Sequence, residues 1–165
     1  MKNVAKTITI VVIIVILGFW AVFTDGLIVR NSELRNGLYS TLKTLGTADM
    51  VALVNGERTS RGIPALTENS RLTNSAKAKA CEMVDKDYFD HYDPAGRPPW
   101  HFFKENGYIY HFAGENLVMG YFGDQESMRR LMASPEHKEN VLDPNFKEIG
   151  IGKCGDYTVQ HFGTK

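Results

Sequence analysis

The sequence predicts an α+β domain of three layers, preceded by a single N-terminal transmembrane helix. Three observations carry this. Residues Thr7 to Phe23 form one uncharged run rich in Ile and Val. From Ala48 onward, apolar patterns of helical period alternate with short strand-like runs. The last two runs, Phe146 to Gly152 and Tyr157 to Phe162, are joined by Gly155-Asp156, which reads as a hairpin and not as the crossover of a doubly wound sheet. At 165 residues the chain has room for one ordinary domain plus an appendage. Lys plus Arg number 19 and Asp plus Glu number 19, so the balance offers no electrostatic footprint for nucleic acid.

The N-terminal run approaches the ~20 apolar residues that span a bilayer as a helix. Lys2 and Lys6 precede it, and Asp25 is the first charge after it. The positive-inside rule therefore predicts residues 1–6 in the cytoplasm, an anchor over 7–24, and the remainder outside the cytoplasm. A cleaved signal peptide is the competing reading. It calls for small residues at the cut, whereas Gly18-Phe19-Trp20-Ala21-Val22-Phe23 is bulky and aromatic.

Residues 25–47 connect the anchor to the domain. Leu34, Leu38, Leu42 and Leu45 recur at helical spacing, as a stalk helix, a dimerising seam or a strip on the membrane surface would. The domain spans 48–165. Ala48 to Arg61 is an amphipathic helix, with Val51 and Val54 inward, Asn55, Glu57 and Arg58 polar, and Gly62 closing it. Ile63 to Leu66 is an extended connector. Ser70 to Asp87 is a second helix with Leu72, Ala76, Ala80, Met83 and Val84 as its stripe. Pro98-Pro99 opens a short third helix ended by Gly107, in which Trp100, Phe102 and Phe103 are expected in the core. Tyr108 to Met119 is extended with a break at Gly114. Gln125 to Ala133 is a fourth helix with Met128, Leu131 and Met132 inward.

Two cysteines are present, Cys81 and Cys154. Outside the cytoplasm they pair and tie a helix to a late strand, or they stay as two buried thiols; the spacing leaves both open. They lie in no CxxC or zinc pattern.

Four motifs follow in fixed order: His91-Tyr92-Asp93-Pro94-Ala95-Gly96, Gly114-Glu115-Asn116-Leu117, Ser134-Pro135-Glu136-His137 and Glu148-Ile149-Gly150-Ile151-Gly152. Each supplies an imidazole, a carboxylate or a tight turn. With Leu53-Val54-Asn55-Gly56-Glu57-Arg58, Pro64-Ala65-Leu66 and Val159-Gln160-His161-Phe162-Gly163, this order resembles the CAP superfamily in its compact prokaryotic form. That family comprises the SCP domains of cysteine-rich secretory proteins, antigen 5 and plant pathogenesis-related proteins. The resemblance covers about Asp49 to Gly163. It implies an αβα sandwich with a shallow cleft where two histidines and two acids meet and in some members hold zinc or another divalent cation. His91 and His137 match the histidines, and so are the candidate metal ligands; Glu115 matches one acid. The second acid does not carry over: the matching stretch reads Leu131-Met132-Ala133-Ser134, and Glu126 and Glu136 are the nearby substitutes.

The residues themselves agree in part. Ser134 at an N-cap with Pro135 at the first helical position starts a helix and places His137 in its first turn. The helix dipole there disfavours imidazolium and leaves the neutral ring that binds metal; capping or loop packing would account for His137 equally. The dipole also explains Glu136. Glu115 lies between apolar flanks, and a buried carboxylate needs a partner, for which a histidine serves. No spacing argues for a site at His101, His111 or His161. The chain lacks HExxH, a GxSxG elbow and a glycine-rich phosphate loop. The sharpest enzymatic expectation is metal-bound water with Glu115 as general base. The leading expectation is a binding module at the cell envelope, with a lipid, a cell-wall polymer or a protein as ligand. A structural scaffold is the remaining one.

Overall fold

The computed structural model of the chain describes residues 14–16, 19–21, 23–24, 27–28 and 49–165. The chain divides into two units, Met1–Thr47 and Ala48–Lys165. In the first, β1 (Ile14–Ile16) pairs antiparallel with β2 (Phe19–Ala21), and β3 (Phe23–Thr24) with β4 (Leu27–Ile28). The helix expected over 7–24 falls in part outside the described residues, and its described fragments are extended. Ile, Val, Phe and Trp favour extended backbone where no bilayer imposes internal pairing. Among the described residues no helix is long and apolar enough to cross a membrane. The leucine-spaced stalk lies outside them.

In the second unit each of the first two helices starts where a short polar side chain meets a free N–H. Asp49 accepts from Ala52 N at 2.8 Å and opens α1 (Met50–Thr59). Asn69 accepts from Arg71 N at 3.0 Å and opens α2 (Ser70–Asp85). The connector before α2 contains an unanticipated strand, β5 (Thr67–Glu68). Then come α3 (Trp100–Glu105), β6 (Phe112–Met119), α4 (Asp124–Ala133), α5 (Pro135–Leu142), β7 (Glu148–Cys154) and β8 (Tyr157–Thr164). Ser134 occupies the N-cap of α5, but its hydroxyl makes no capping bond. β6 runs through Gly114 without the expected break.

The sheet order is β5-β7-β8-β6, with β5 parallel to β7 and the other pairs antiparallel. Strand alternation sorts its residues onto two covered faces. Ile149, Phe162 and Val118 pack with Met50, Val54, Met128, Leu131 and Val141 of α1, α4 and α5. Leu117 and Val159 pack with Ala76, Ala80 and Met83 of α2. The three layers expected from the sequence are therefore present.

α2 lies so close to β7 that only glycine fits beneath it. A Cβ on Gly150 would stand 2.1 Å from the Leu72 carbonyl carbon, and one on Gly152 2.1 Å from that of Ala76. Cys81 on α2 forms a disulfide with Cys154 at the end of β7.

Two side chains depart from the helical patterns. Arg58, expected on the polar side of α1, is fully buried and donates to the carbonyls of Pro64, Val141, Asp143 and Phe146. Val84, expected on the apolar stripe of α2, is 41% exposed.

Candidate functional site

The cleft forms where the loop after α2 crosses the start of β6. Lys79, fully buried on α2, sends Nζ to the carbonyls of Asp90 (2.7 Å) and His91 (3.0 Å) and to the Tyr88 hydroxyl (3.1 Å). A cation buried this way must be fully hydrogen-bonded, so the loop backbone is drawn onto the helix. That contact delivers His91 to Glu115.

Glu115 is held by two imidazoles. His91 Nδ1 lies 2.7 Å from Oε1, and His161 Nε2 lies 2.8 Å from Oε2. A carboxylate accepts, so both nitrogens donate. His161 Nδ1 is then left to accept from the Ser75 hydroxyl at 2.9 Å, which fixes the neutral tautomer. Ser75, His161, Glu115 and His91 form one chain running from fully buried residues to an imidazole whose side chain is 49% exposed.

Burial alone would raise Glu115, but the hydrogen bonds from His161 and His91 bring it below the ordinary carboxylate value. His91 is raised by its bond to Glu115, against desolvation. His161 is lowered by burial. His137 is lowered by desolvation and then by the neighbouring charge of His91.

The opposite sheet face holds the wall. Asn140 Nδ2 donates to Glu115 O (3.1 Å) and Asn116 Oδ1 (2.9 Å). Asn116 Nδ2 donates to His137 O (3.0 Å) and Gln160 Oε1 (3.0 Å). These bonds fix α5, and with it the backbone of His137, against β6. His91, Glu115 and Asn140 line a groove of about 360 Å³ together with Tyr92, Pro98, Pro99 and Trp100. Trp100 belongs to this groove, while Phe102 and Phe103 are in the core.

Of the sequence-derived candidates, His91 and Glu115 touch, and His137 lies within reach of the charge of His91. Neither substitute acid joins them. Glu126 is bound by Arg129 and Arg130 on α4, and Glu136 is exposed on α5. The divalent metal implied at His91 and His137 finds no three-ligand set here. His91, Glu115 and His137 are not among the described groups of three whose donor atoms gather within 4.8 Å. His161, Lys79 and Ser75 were not anticipated. The one signal for them was the cross-strand pairing of Glu115 with His161, which becomes visible only once the β6–β8 register is known.

The model of the cysteine-rich secretory protein (CAP) family matches residues 51–162. The chain is 38% identical over 115 residues to YkwD of Bacillus subtilis, itself uncharacterised, covering 68% of this chain and 45% of that protein. An extracellular SCP-domain protein of Bacillus anthracis superposes with a TM-score of 0.68 at 22% identity, over 70% of this chain and 39% of the other. An outer surface protein of Borrelia burgdorferi gives 0.63 at 19% identity, over 83% and 96%. The chain thus spans under half the length of YkwD and of the Bacillus anthracis protein. The two structural likenesses show the fold.

Proposed function

Because this chain belongs to the cysteine-rich secretory protein (CAP) family, we propose that it is a ligand-binding module at the outer face of the cell envelope, held by its N-terminal apolar segment. The segment's uncharged length and its flanking lysines support the anchor, since in a bilayer a helix satisfies every backbone group internally. The neighbours described as extracellular or outer-surface proteins support the same side of the membrane.

The observation that carries the reading is the mixed lining of the groove. It brings Trp100, Tyr92 and two prolines together with His91, Glu115 and Asn140. Apolar lining with a few fixed polar groups is the composition of a binding site. A ring with hydrogen-bonding substituents, such as a cell-wall sugar bearing its peptide, matches this lining. Among the described residues, those that line the groove include no serine, threonine or cysteine.

Cosedimentation of the full-length protein in detergent with insoluble peptidoglycan tests this. Wild type should pellet with the wall, and Trp100→Ala and Tyr92→Ala should stay in the supernatant. Equal pelleting of all three, or transfer of wild type to anionic phospholipid vesicles in preference to the wall, would refute it.

One observation favours a hydrolytic second reading. Glu115 orients His91 as a carboxylate orients a general base, leaving Nε2 of an exposed ring to take a proton from water. Release of soluble wall fragments by wild type but not by His91→Ala would support it; release by neither would leave binding alone.

A further inference from the structure

Glu82 on α2, Asp93 in the loop after it and His101 on α3 each bring one ligand atom within 4.8 Å of the others. Among the described residues no other group of His, Cys, Asp and Glu does so. The lining residues of the groove include none of the three.

The state of His101 follows from its partner. Nδ1 lies 2.8 Å from the carbonyl of Pro98, and a carbonyl only accepts, so Nδ1 carries the proton. Nε2 is then the ring nitrogen left open to a cation. That atom is buried and has no hydrogen-bond partner. A buried acceptor left unpaired is costly, and a cation removes the cost. A histidine ligand whose other nitrogen is pinned to a backbone carbonyl is the usual arrangement around a protein-bound metal.

Both carboxylates are anionic. Burial pushes Asp93 up, but bonds from the backbone and side chain of Arg97 and from Ala95 N bring it down to about 2. Glu82 is likewise lowered, against burial, by Lys86 and Tyr88. The Asp93 side chain is fully buried and that of Glu82 is 15% exposed, while the cations now facing them, Arg97 and Lys86, are each 47% exposed. Arg97 has somewhere else to go: its Nη1 is 3.9 Å from Glu105.

We propose that Glu82, Asp93 and His101 form a divalent-cation site of the zinc type, in which the metal displaces Arg97 towards Glu105 and Lys86 towards solvent. One imidazole and two carboxylates are a donor set that Zn²⁺ accepts. The site joins α2, the loop carrying His91 and the helix carrying Trp100, so a bound ion ties these three segments together.

Calorimetric titration of Zn²⁺ into the full-length protein in detergent tests the site, with near-UV circular dichroism of each variant as the check on folding. Wild type should take up one equivalent. The His91→Ala/His137→Ala double variant should keep it, His101→Gln should weaken it at least ten-fold, and Arg97→Gln, which removes the competing cation, should tighten it. If His101→Gln fails the folding check, Glu82→Gln replaces it and should weaken binding likewise. No uptake by wild type would overturn the proposal. So would uptake lost in the double variant and retained by a folded His101→Gln or Glu82→Gln.

Discussion

Glu115 and His161 stand opposite each other on β6 and β8, with Glu115 Oε2 2.8 Å from His161 Nε2. Both side chains are buried, yet the outer oxygen of the same carboxylate holds the exposed ring of His91. The buried imidazole thereby fixes the orientation of a surface one through a shared anion. His161 also packs against Phe103, ring centroids 4.4 Å apart, so its own position is set by the core.

Replacing His161 by phenylalanine would keep a flat ring in its place and strand Glu115 Oε2 and the Ser75 hydroxyl. Leaving a buried charged acceptor and a hydroxyl unpaired should cost about 3 kcal/mol of folding stability. His111→Ala, at an exposed ring, should change stability by less than about 0.5 kcal/mol. Urea unfolding of the two variants makes the comparison, and equal midpoints would disprove a structural role for His161.

His91 should titrate above its ordinary 6.5, because its bond to Glu115 favours imidazolium. A raised folded value means that its contribution to stability is complete below about 6.5 and disappears as pH rises through the folded value. The stability difference between wild type and His91→Ala should therefore shrink on going to alkaline pH. His137, lowered by desolvation, should titrate below 6.5. NMR titration of the imidazole resonances resolves the two, and Glu115→Gln should move His91 down.

Residues whose role depends on neighbours along the chain were legible; those that depend on a partner far away were not. The stripe Leu72, Ala76, Ala80, Met83 locates α2 because helical period alone puts those side chains on one face. The motifs around His91 and Glu115 single out those two residues. β5 is two residues long and exists through its pairing with β7, so no local pattern announces it. Arg58 and Lys79 look like surface charges on amphipathic helices, and their burial follows from carbonyls supplied by segments up to 88 residues away. Glu126 reads as a spare acid beside the cleft until Arg129 and Arg130 are seen to bind it.

Arg58 gives a test of such long-range ties. Its guanidinium bonds the carbonyls of Val141 and Asp143 at the end of α5, together with those of Pro64 and Phe146. Lysine carries the charge but not the planar fork that reaches several carbonyls at once. Arg58→Lys should lose most of the stability that Arg58→Met loses, at about 3 kcal/mol or more, because in both the carbonyls are left buried and unpaired. Full stability of the lysine variant in urea unfolding would show that charge alone suffices.

Two glycines should respond to alanine with opposite signs. Gly56 lies inside α1, and a Cβ there would have nothing within 4 Å, so alanine meets no obstacle. Because alanine favours a helix interior over glycine, Gly56→Ala should add about 1 kcal/mol. Gly150 lies beneath α2, where the same methyl would stand 2.1 Å from the backbone of Leu72 and Thr73. Neither helix nor strand can yield without opening the Ala76, Ala80 and Val159 contacts, so Gly150→Ala should cost about 3 kcal/mol or prevent folding. Thermal melting of both variants decides it. A Gly150→Ala protein as stable as wild type would mean that α2 and β7 are not packed backbone to backbone.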